Sequence, residues 1–499
     1  MQDNVYENDD LVDVYQDSNI RLLFWMKRVI WILSVALPCS ILLLARGYNV
    51  VIAFMAYLNC LLYTLFAMHF LKKQSLTTII PVIAPLWLVV GSCLGVIYYA
   101  MFSPERGYEV EAGYFFYLQG GIKYQFVIFL FLSVYFLFMA LYFYKPQHLY
   151  QRPDMCTSNI GFMGVIISVP ILLLSAVGTI IDFPETIKLW SNRLFVYFQS
   201  ILFLVGFGMS RLSKPVKTIL ISMLGFVIIL FSLRGSRGMA LVPLASLMTA
   251  ILLFSEVKTK TKKILIVLVC IGLPLLMFAG ETVRAVLGGS AGAELASLET
   301  RIEALKDWKS VAKEQGVLSG FFGRMFFSAG NVIVSCMPDD YPYRGFSPLL
   351  YIKEFFLLML PEQLLRPLLD LGPDKLGYEL RTNYSGTFLL NDYGIHVDQG
   401  TSVEVSTVGH FWMLGGYGFI VLGGFLVASL HAMVAKFINH VWTRDPDKAM
   451  FYFAVLFYSI LWCMNWDFIQ MNRFFFLSYL YAFISYKLIK PFLVLFYKI

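Results

Sequence analysis

Long apolar runs separated by short polar connections dominate the chain. A helix needs about 20 mostly apolar residues to cross the hydrocarbon layer of a membrane. Runs of that kind lie near 28–45, 50–71, 77–101, 124–144, 158–181, 194–210, 216–233, 239–255, 264–280, 409–435, 449–466 and 474–490. The eighth and ninth are short, and the last contains Lys487. This pattern predicts an all-α polytopic membrane protein with about 12 transmembrane helices.

The composition excludes an ordinary soluble domain. Hydrophobic residues occupy 59% of the 499 positions, and charged residues occupy only 14%. A chain of this kind needs a bilayer as its solvent. Its first residues are polar and acidic, so they lack the positive charge and apolar core of a cleavable signal peptide. We therefore expect the first transmembrane helix to act as the insertion signal.

Lysine and arginine are distributed unevenly between alternate connections. One set of connections, which includes both termini, carries more than twice as many of these residues as the opposite set. Because cytoplasmic loops collect Lys and Arg, this asymmetry predicts that both termini are cytoplasmic. It also accounts for the net charge of +7, so nucleic acid is not an expected partner, whereas membrane lipids are expected partners.

Four segments follow from this topology. Residues 1–27 form an acidic cytoplasmic tail, and residues 28–280 contain transmembrane helices 1–9. Residues 281–408 form one large periplasmic loop. Residues 409–499 contain helices 10–12 and the cytoplasmic C-terminus. A loop of this length is too long to serve only as a connection.

The large loop is predicted to contain two helices of its own. Residues 348–369 are apolar but include prolines and charges, which favours an interfacial or re-entrant helix over a full span. In residues 293–315 apolar side chains recur every three or four positions, which predicts an amphipathic helix. Its apolar stripe consists of Leu295, Leu298, Ile302, Leu305 and Trp308.

Four arginines lie at the predicted outer face, where positive charge is unusual. Arg234 and Arg237 belong to the segment RGSRG between the seventh and eighth runs. Arg284 follows the ninth run, and Arg324 lies among aromatic and glycine residues. An Arg drawn toward hydrocarbon costs about 2.5–3.5 kcal/mol on insertion scales, and its planar fork matches phosphate oxygens. These residues can build a cationic pocket. Alternatively, they reach lipid headgroups or pair with acidic residues of the loop.

Two residues near the end of the loop are candidates for a general base. His410 lies where the loop re-enters the membrane, and Glu404 precedes it by six residues. Either side chain could take a proton from a hydroxyl nucleophile. The alternatives are that His410 is an interfacial residue beside Trp412 and that Glu404 is a solvated loop charge.

Several other chemistries have no visible basis. The chain contains no HExxH, Walker A, CxxC or strand-associated GxGxxG motif, so neither ATP, zinc nor nicotinamide chemistry is expected. The seven cysteines are scattered and mostly lie in apolar runs, so we interpret them as packing residues. We expect no metal and no cofactor.

Short motifs between residues 230 and 425 resemble the bacterial Wzy family, the polymerases of oligosaccharide repeat units in O-antigen and capsule. The motifs are RGSRG at the start of a membrane helix, GFSPLLYIKEFFLLMLPEQLLRP within a large late loop, and GTSVEVSTVGHFWMLGGYGFIVLGG where that loop ends. Residues 1–220 match in hydropathy only. Relatives often carry a Glu before the aromatic run that leads into the Gly-rich helix, whereas this chain has His410.

The resemblance implies a metal-independent, inverting glycosyltransferase of GT-C type in the bacterial inner membrane. Its substrates would be undecaprenyl-diphosphate-linked oligosaccharides, and a chain-length regulator is a possible partner. Arg234, Arg237 and Arg284 would stabilise the leaving diphosphate, with Arg324 near them, and His410 or Glu404 would be the base. Two alternatives stay open: an O-antigen ligase, and a flippase or other transporter of lipid-linked oligosaccharides.

Overall fold

The computed structural model describes most of the apolar runs and little of the large loop. The described residues are 50–71, 75–92, 108–144, 160–177, 194–209, 212–233, 237–255, 257, 259–287, 296–310, 406–466 and 468–496. They are almost entirely helical, with no strand among them, which confirms the predicted all-α class. Three site candidates, Arg234, Arg324 and Glu404, lie outside these residues, as do the first run and the predicted re-entrant helix.

Twelve α-helices are named here in chain order, and short 3-10 turns adjoin several of them. They are α1 (Val50–Leu71), α2 (Ile80–Ile83), α3 (Tyr108–Tyr144), α4 (Ile160–Val177), α5 (Leu202–Phe207), α6 (Lys214–Leu233), α7 (Arg237–Leu253), α8 (Thr259–Val286), α9 (Leu298–Ala304), α10 (Thr407–Trp442), α11 (Pro446–Trp462) and α12 (Phe468–Phe496). The chain divides into two compact units: unit A contains residues 1–39 and 152–317, and unit B contains residues 40–151 and 318–499.

Within the described residues, four helical segments are long and apolar enough to cross a membrane. They are Phe54–Leu71, Gly121–Tyr144, Leu414–Trp442 and Pro446–Asn465, and all four belong to unit B. Shorter apolar helical segments are Thr77–Ser92, Ile160–Leu174, Leu194–Phe207 and Val242–Leu253. A membrane-embedded protein is therefore supported, and the full number of 12 spans stays a prediction.

Unit B is built around the parallel pair α3 and α10. Residues that come later in α3 contact residues that come later in α10. Near the start of this interface, the Lys123 Nζ atom lies 4.6 Å from the centroid of the Trp412 ring. Farther along both helices, the centroids of the Phe138 and Phe425 rings are 4.9 Å apart. The helices approach closely because Gly424 has no side chain: a Cβ atom there would lie 2.9 Å from the Phe131 carbonyl oxygen. Small residues permit such contacts between membrane helices.

Helix α10 is broken near its start. Gly415 has φ 172° and ψ 32°, and Gly416 has φ 58° and ψ −141°. Gly416 has a backbone conformation that residues with a side chain rarely adopt. The Phe411 ring lies where a Cβ atom of residue 423 would be, which shows that the two halves of α10 fold against each other. In a straight helix these residues would be separated by about 18 Å along the axis. The first half-helix (residues 407–414) therefore packs back on the second half-helix (residues 417–442).

Unit A is organised around a core formed by α4 to α8. Phe195, Val205 and Leu247 are among its buried side chains. The Lys262 ammonium at the start of α8 donates a hydrogen bond to the Leu252 carbonyl in the last turn of α7, with a distance of 3.1 Å. A helix end leaves its last carbonyls without intrahelical partners, and a cation there also complements the helix dipole.

The structure describes residues 296–310 of the helix predicted for residues 293–315. Helix α9 begins after Ser297, whose hydroxyl accepts a hydrogen bond from the Thr300 backbone N–H at 3.1 Å, and a 3-10 turn follows Ala304. Ile302 and Trp308 are 49% and 47% exposed, whereas Arg301 is only 3% exposed. Two residues of the predicted stripe, Ile302 and Trp308, are therefore exposed. Leu298 and Leu305 do pack against Val283 of α8.

Candidate functional site

Two of the predicted arginines belong to one helical hairpin of unit A. Arg237 is the first residue of α7, and Arg284 lies in the last turn of α8. The bond between Lys262 and Leu252 joins the other ends of these helices, so both arginines lie toward the opposite end of the hairpin. They are at different heights, because the α8 stretch from Lys262 to Arg284 is about 10 Å longer than the α7 stretch from Arg237 to Leu252.

His410 lies in the first half-helix of α10, in unit B. Ser406 caps this half-helix: its hydroxyl accepts a hydrogen bond from the Gly409 N–H at 3.2 Å, and its carbonyl accepts one from the His410 N–H at 2.8 Å. A side-chain cap of this kind satisfies backbone groups that the first turn leaves open. The helix therefore begins where the apolar run was predicted to begin.

The His410 imidazole is almost completely buried. It is 1% exposed and contacts the Phe411 ring edge-on, with 5.8 Å between ring centroids. His410 precedes the apolar segment Leu414–Trp442. A general base has to come within hydrogen-bond distance of the proton that it takes. In this arrangement His410 does not meet solvent.

Thr407, one turn before His410, anchors the first half-helix. Its hydroxyl lies 2.6 Å from the Trp466 carbonyl oxygen and 3.2 Å from the Cys463 carbonyl oxygen. Both acceptors belong to the 3-10 turn and the residue that follow α11. Thr407 is fully buried, so water does not compete for this bond. The hydroxyl thus joins the first half-helix to the end of α11.

A buried chain of three polar side chains lies next to this anchor. The Tyr135 hydroxyl is 2.8 Å from His431 Nδ1, and His431 Nε2 is 3.4 Å from Cys463 Sγ. The Cys463 thiol donates to the Ile460 carbonyl at 3.2 Å. Since the thiol hydrogen is used there, Sγ accepts from Nε2–H, and Nδ1 accepts from the Tyr135 hydroxyl. This Tyr135–His431–Cys463 chain joins α3, the second half-helix of α10 and the end of α11.

A cation and three aromatic rings surround the break in α10. Lys123 lies over the Trp412 ring, and the Trp412 and Tyr417 rings meet edge-on with 4.9 Å between centroids. Phe126 contacts Tyr417 with 5.9 Å between centroids. Aromatic rings and cations of this kind are common where a protein meets a membrane surface.

The predicted site residues are divided between the two units. Arg237 and Arg284 lie in unit A and His410 lies in unit B, so their roles stay predictions. Among the residues that the structure describes, no group of three His, Cys, Asp or Glu side chains could hold a metal ion. Three polar features were missed: Thr407, the Tyr135–His431–Cys463 chain and the buried Arg301. His431 and Cys463 fall inside apolar runs, and this position in the sequence was their only signal.

The chain shows no significant match to any protein-family model, any curated protein or any solved structure. The likeness to the Wzy family therefore rests on the short motifs alone.

Proposed function

We propose that the protein is a polymerase of lipid-linked oligosaccharide repeat units. It transfers a growing glycan from undecaprenyl diphosphate to the next undecaprenyl-diphosphate-linked repeat unit, at the periplasmic face of a bacterial inner membrane. The proposal includes about 12 spans of GT-C type, both termini in the cytoplasm and the loop 281–408 in the periplasm. It requires neither metal nor cofactor.

The observation that carries this proposal is that Arg237 and Arg284 both lie toward the end of the α7–α8 hairpin opposite the Lys262–Leu252 bond, at heights that differ by about 10 Å. The charges of two arginines at the end of an apolar hairpin suit a ligand with a membrane-embedded tail and an anionic head. A lipid diphosphate has both. Two unit charges 4 Å apart attract by about 4 kcal/mol at an effective dielectric constant of 20, against about 1 kcal/mol in bulk water.

The reaction assigns a role to each predicted residue. A hydroxyl oxygen of the acceptor sugar attacks the anomeric carbon of the donor from the face opposite the diphosphate, so the configuration inverts. The bond from that carbon to the diphosphate oxygen breaks, and the diphosphate keeps the electron pair. Arg237 and Arg234, with Arg284 and Arg324, stabilise the negative charge on the leaving group. The hydroxyl proton goes to His410 or Glu404.

The test is a polymerisation assay with the purified full chain in liposomes that contain only lipid-linked repeat units. We expect the wild-type chain to lengthen the glycan on its lipid carrier and Arg237→Ala to lower the rate at least a hundredfold, as expected for the loss of an anion-stabilising group. Arg444→Ala is the matched control, since Arg444 is an exposed arginine in the turn between α10 and α11. It should polymerise normally.

Other outcomes separate the alternatives. Glycan transfer that occurs only after lipopolysaccharide core is added would identify a ligase. Movement of lipid-linked oligosaccharide across the bilayer without a new glycosidic bond would identify a transporter. Normal polymerisation by Arg237→Ala, at wild-type protein level, would overturn the proposed role of the arginines.

A further inference from the structure

The burial of His410 conflicts with any role that requires contact with a substrate. The imidazole is 1% exposed in the observed arrangement. A base must come within about 3 Å of the hydroxyl whose proton it takes. The residues that bury His410 must therefore move if it takes part in chemistry, and the first half-helix is the element that carries it.

A hinge for this movement exists at the break in α10. Gly415 and Gly416 separate the two half-helices, and Gly416 has positive φ. A Cβ atom at Gly416 would meet nothing within 4 Å, so there is open space beside this residue. Residues at the ends of elements absorb the dihedral changes of hinge motions.

Among the described side chains of the first half-helix, Thr407 makes a buried hydrogen bond and Trp412 makes a cation–π contact with Lys123, and both oppose the movement. Thr407 is the first residue of this half-helix, and its hydroxyl donates to the carbonyls of Trp466 and Cys463. Phe411 of the same half-helix packs on Gly423 and lies 5.2 Å from the Phe468 ring, and these two contacts are apolar. Apolar contacts are not directional, so they allow the half-helix to slide or swing more readily than a hydrogen bond does.

The acceptors of the Thr407 bond are themselves held in place. Cys463 lies in the turn that provides both carbonyls, and its thiol accepts from His431 Nε2–H. His431 belongs to the second half-helix and accepts from the Tyr135 hydroxyl of α3. The turn after α11 is thus fixed to the second half-helix through Cys463 Sγ and to the first half-helix through the Thr407 hydroxyl.

From this geometry we infer that the first half-helix is a latched gate: Thr407 holds it closed over His410, and release of Thr407 allows rotation about Gly415–Gly416 that exposes His410. Thr407 and the Tyr135–His431–Cys463 chain are positioning residues that act on His410 through the half-helix. The assignment of His410 as a base rests on the proposed function. The gate itself rests only on the contacts of unit B.

Thiol labelling of the full chain in nanodiscs tests the gate. The reporter is His410→Cys in a background in which the native cysteines other than Cys463 are replaced by alanine, and the probe is a water-soluble maleimide. We expect slow labelling when Thr407 is intact. Thr407→Val should raise the rate about three- to tenfold, the effect of losing one buried interhelical hydrogen bond. Thr407→Ser keeps the hydroxyl and should label at the original rate.

Ala428→Cys is the control for general loosening. Ala428 is fully buried in the second half-helix, and its labelling should not respond to Thr407→Val. Equal increases at both reporters would mean that Thr407 stabilises the whole unit, and this would overturn the gate. An unchanged rate at His410→Cys would overturn it as well.

Tyr135→Phe gives a second, milder perturbation if Thr407→Val fails to accumulate. It removes the hydroxyl that donates to His431 Nδ1, and we expect about a twofold rise at His410→Cys. No rise in this variant would contradict the link between the chain and the gate. These measurements need no substrate, so a failed polymerisation assay would overturn the proposed function and leave the labelling result intact.

Discussion

The fold-back of α10 can be tested at Gly423. A methyl group there would overlap the Phe411 ring, and this ring is 2% exposed and also packs on Phe468. Overpacking of a filled core costs about 1–3 kcal/mol, while alanine gains up to about 1 kcal/mol over glycine in a helix. We expect Gly423→Ala to lower the free energy of unfolding by about 1–2 kcal/mol.

A double-mutant cycle separates the overlap from other effects. Phe411→Ala removes the ring, so the added methyl group enters vacated space. In that background we expect Gly423→Ala to be neutral or stabilising, with a coupling energy of about 1–3 kcal/mol between the two positions. The free energy of unfolding can be measured by reversible SDS titration in mixed micelles, followed by tryptophan fluorescence.

Gly418→Ala is the matched control. Gly418 lies in the same half-helix, and a Cβ atom there would meet nothing within 4 Å, so this substitution should be neutral or slightly stabilising. The reasoning fails if Gly423→Ala costs the same with and without the Phe411 ring. It also fails if Gly418→Ala is equally destabilising, because glycine would then be needed along the helix for a reason other than the Phe411 contact.

Two further predictions concern the hinge and the α7–α8 hairpin. Gly416→Ala should cost about 1–3 kcal/mol in the same titration, because φ 58° with ψ −141° is nearly restricted to glycine; a neutral result would contradict the break in α10. For Lys262, burial lowers the pKa of the ammonium, so the unfolded chain binds more protons than the folded chain just below pH 10.5. Stability should therefore rise with pH in that range. Lys262→Met should remove this rise and cost about 1–3 kcal/mol near pH 7, since the Leu252 carbonyl loses its donor; an unchanged pH dependence would contradict the prediction.

Helix positions could be read from the sequence because hydropathy is a local property. The run 50–71 coincides with α1, and the runs near 216–233 and 239–255 correspond to α6 and α7 within two residues at each end. The predicted start of the tenth run near residue 409 also agrees with the capped start of α10. Each of these elements contains enough apolar residues to specify a buried helix without information from the rest of the chain.

The candidate site could be predicted only in part, for the same reason. Hydropathy and charge singled out Arg237, Arg284 and His410 as unusual, but they contained no information about which of these residues share a compact unit. The burial of His410 also could not be predicted, since it depends on the half-helix folding back on α10. Glycine pairs inside an apolar run are compatible with a straight helix as well as with a broken one.

By itself, the sequence determined the all-α class, the membrane setting and the approximate bounds of the described helices, because all three depend on local composition and periodicity. Tertiary structure alone decided which faces are buried: α9 turns Arg301 inward and leaves Ile302 exposed, because its packing against α8 sets the rotation of the helix. It also decided the break at Gly415–Gly416 and the bond from Thr407 to the end of α11. The Thr407 bond joins residues that are far apart in the chain, and the break accompanies the packing of Phe411 on Gly423, so both features depend on tertiary contacts.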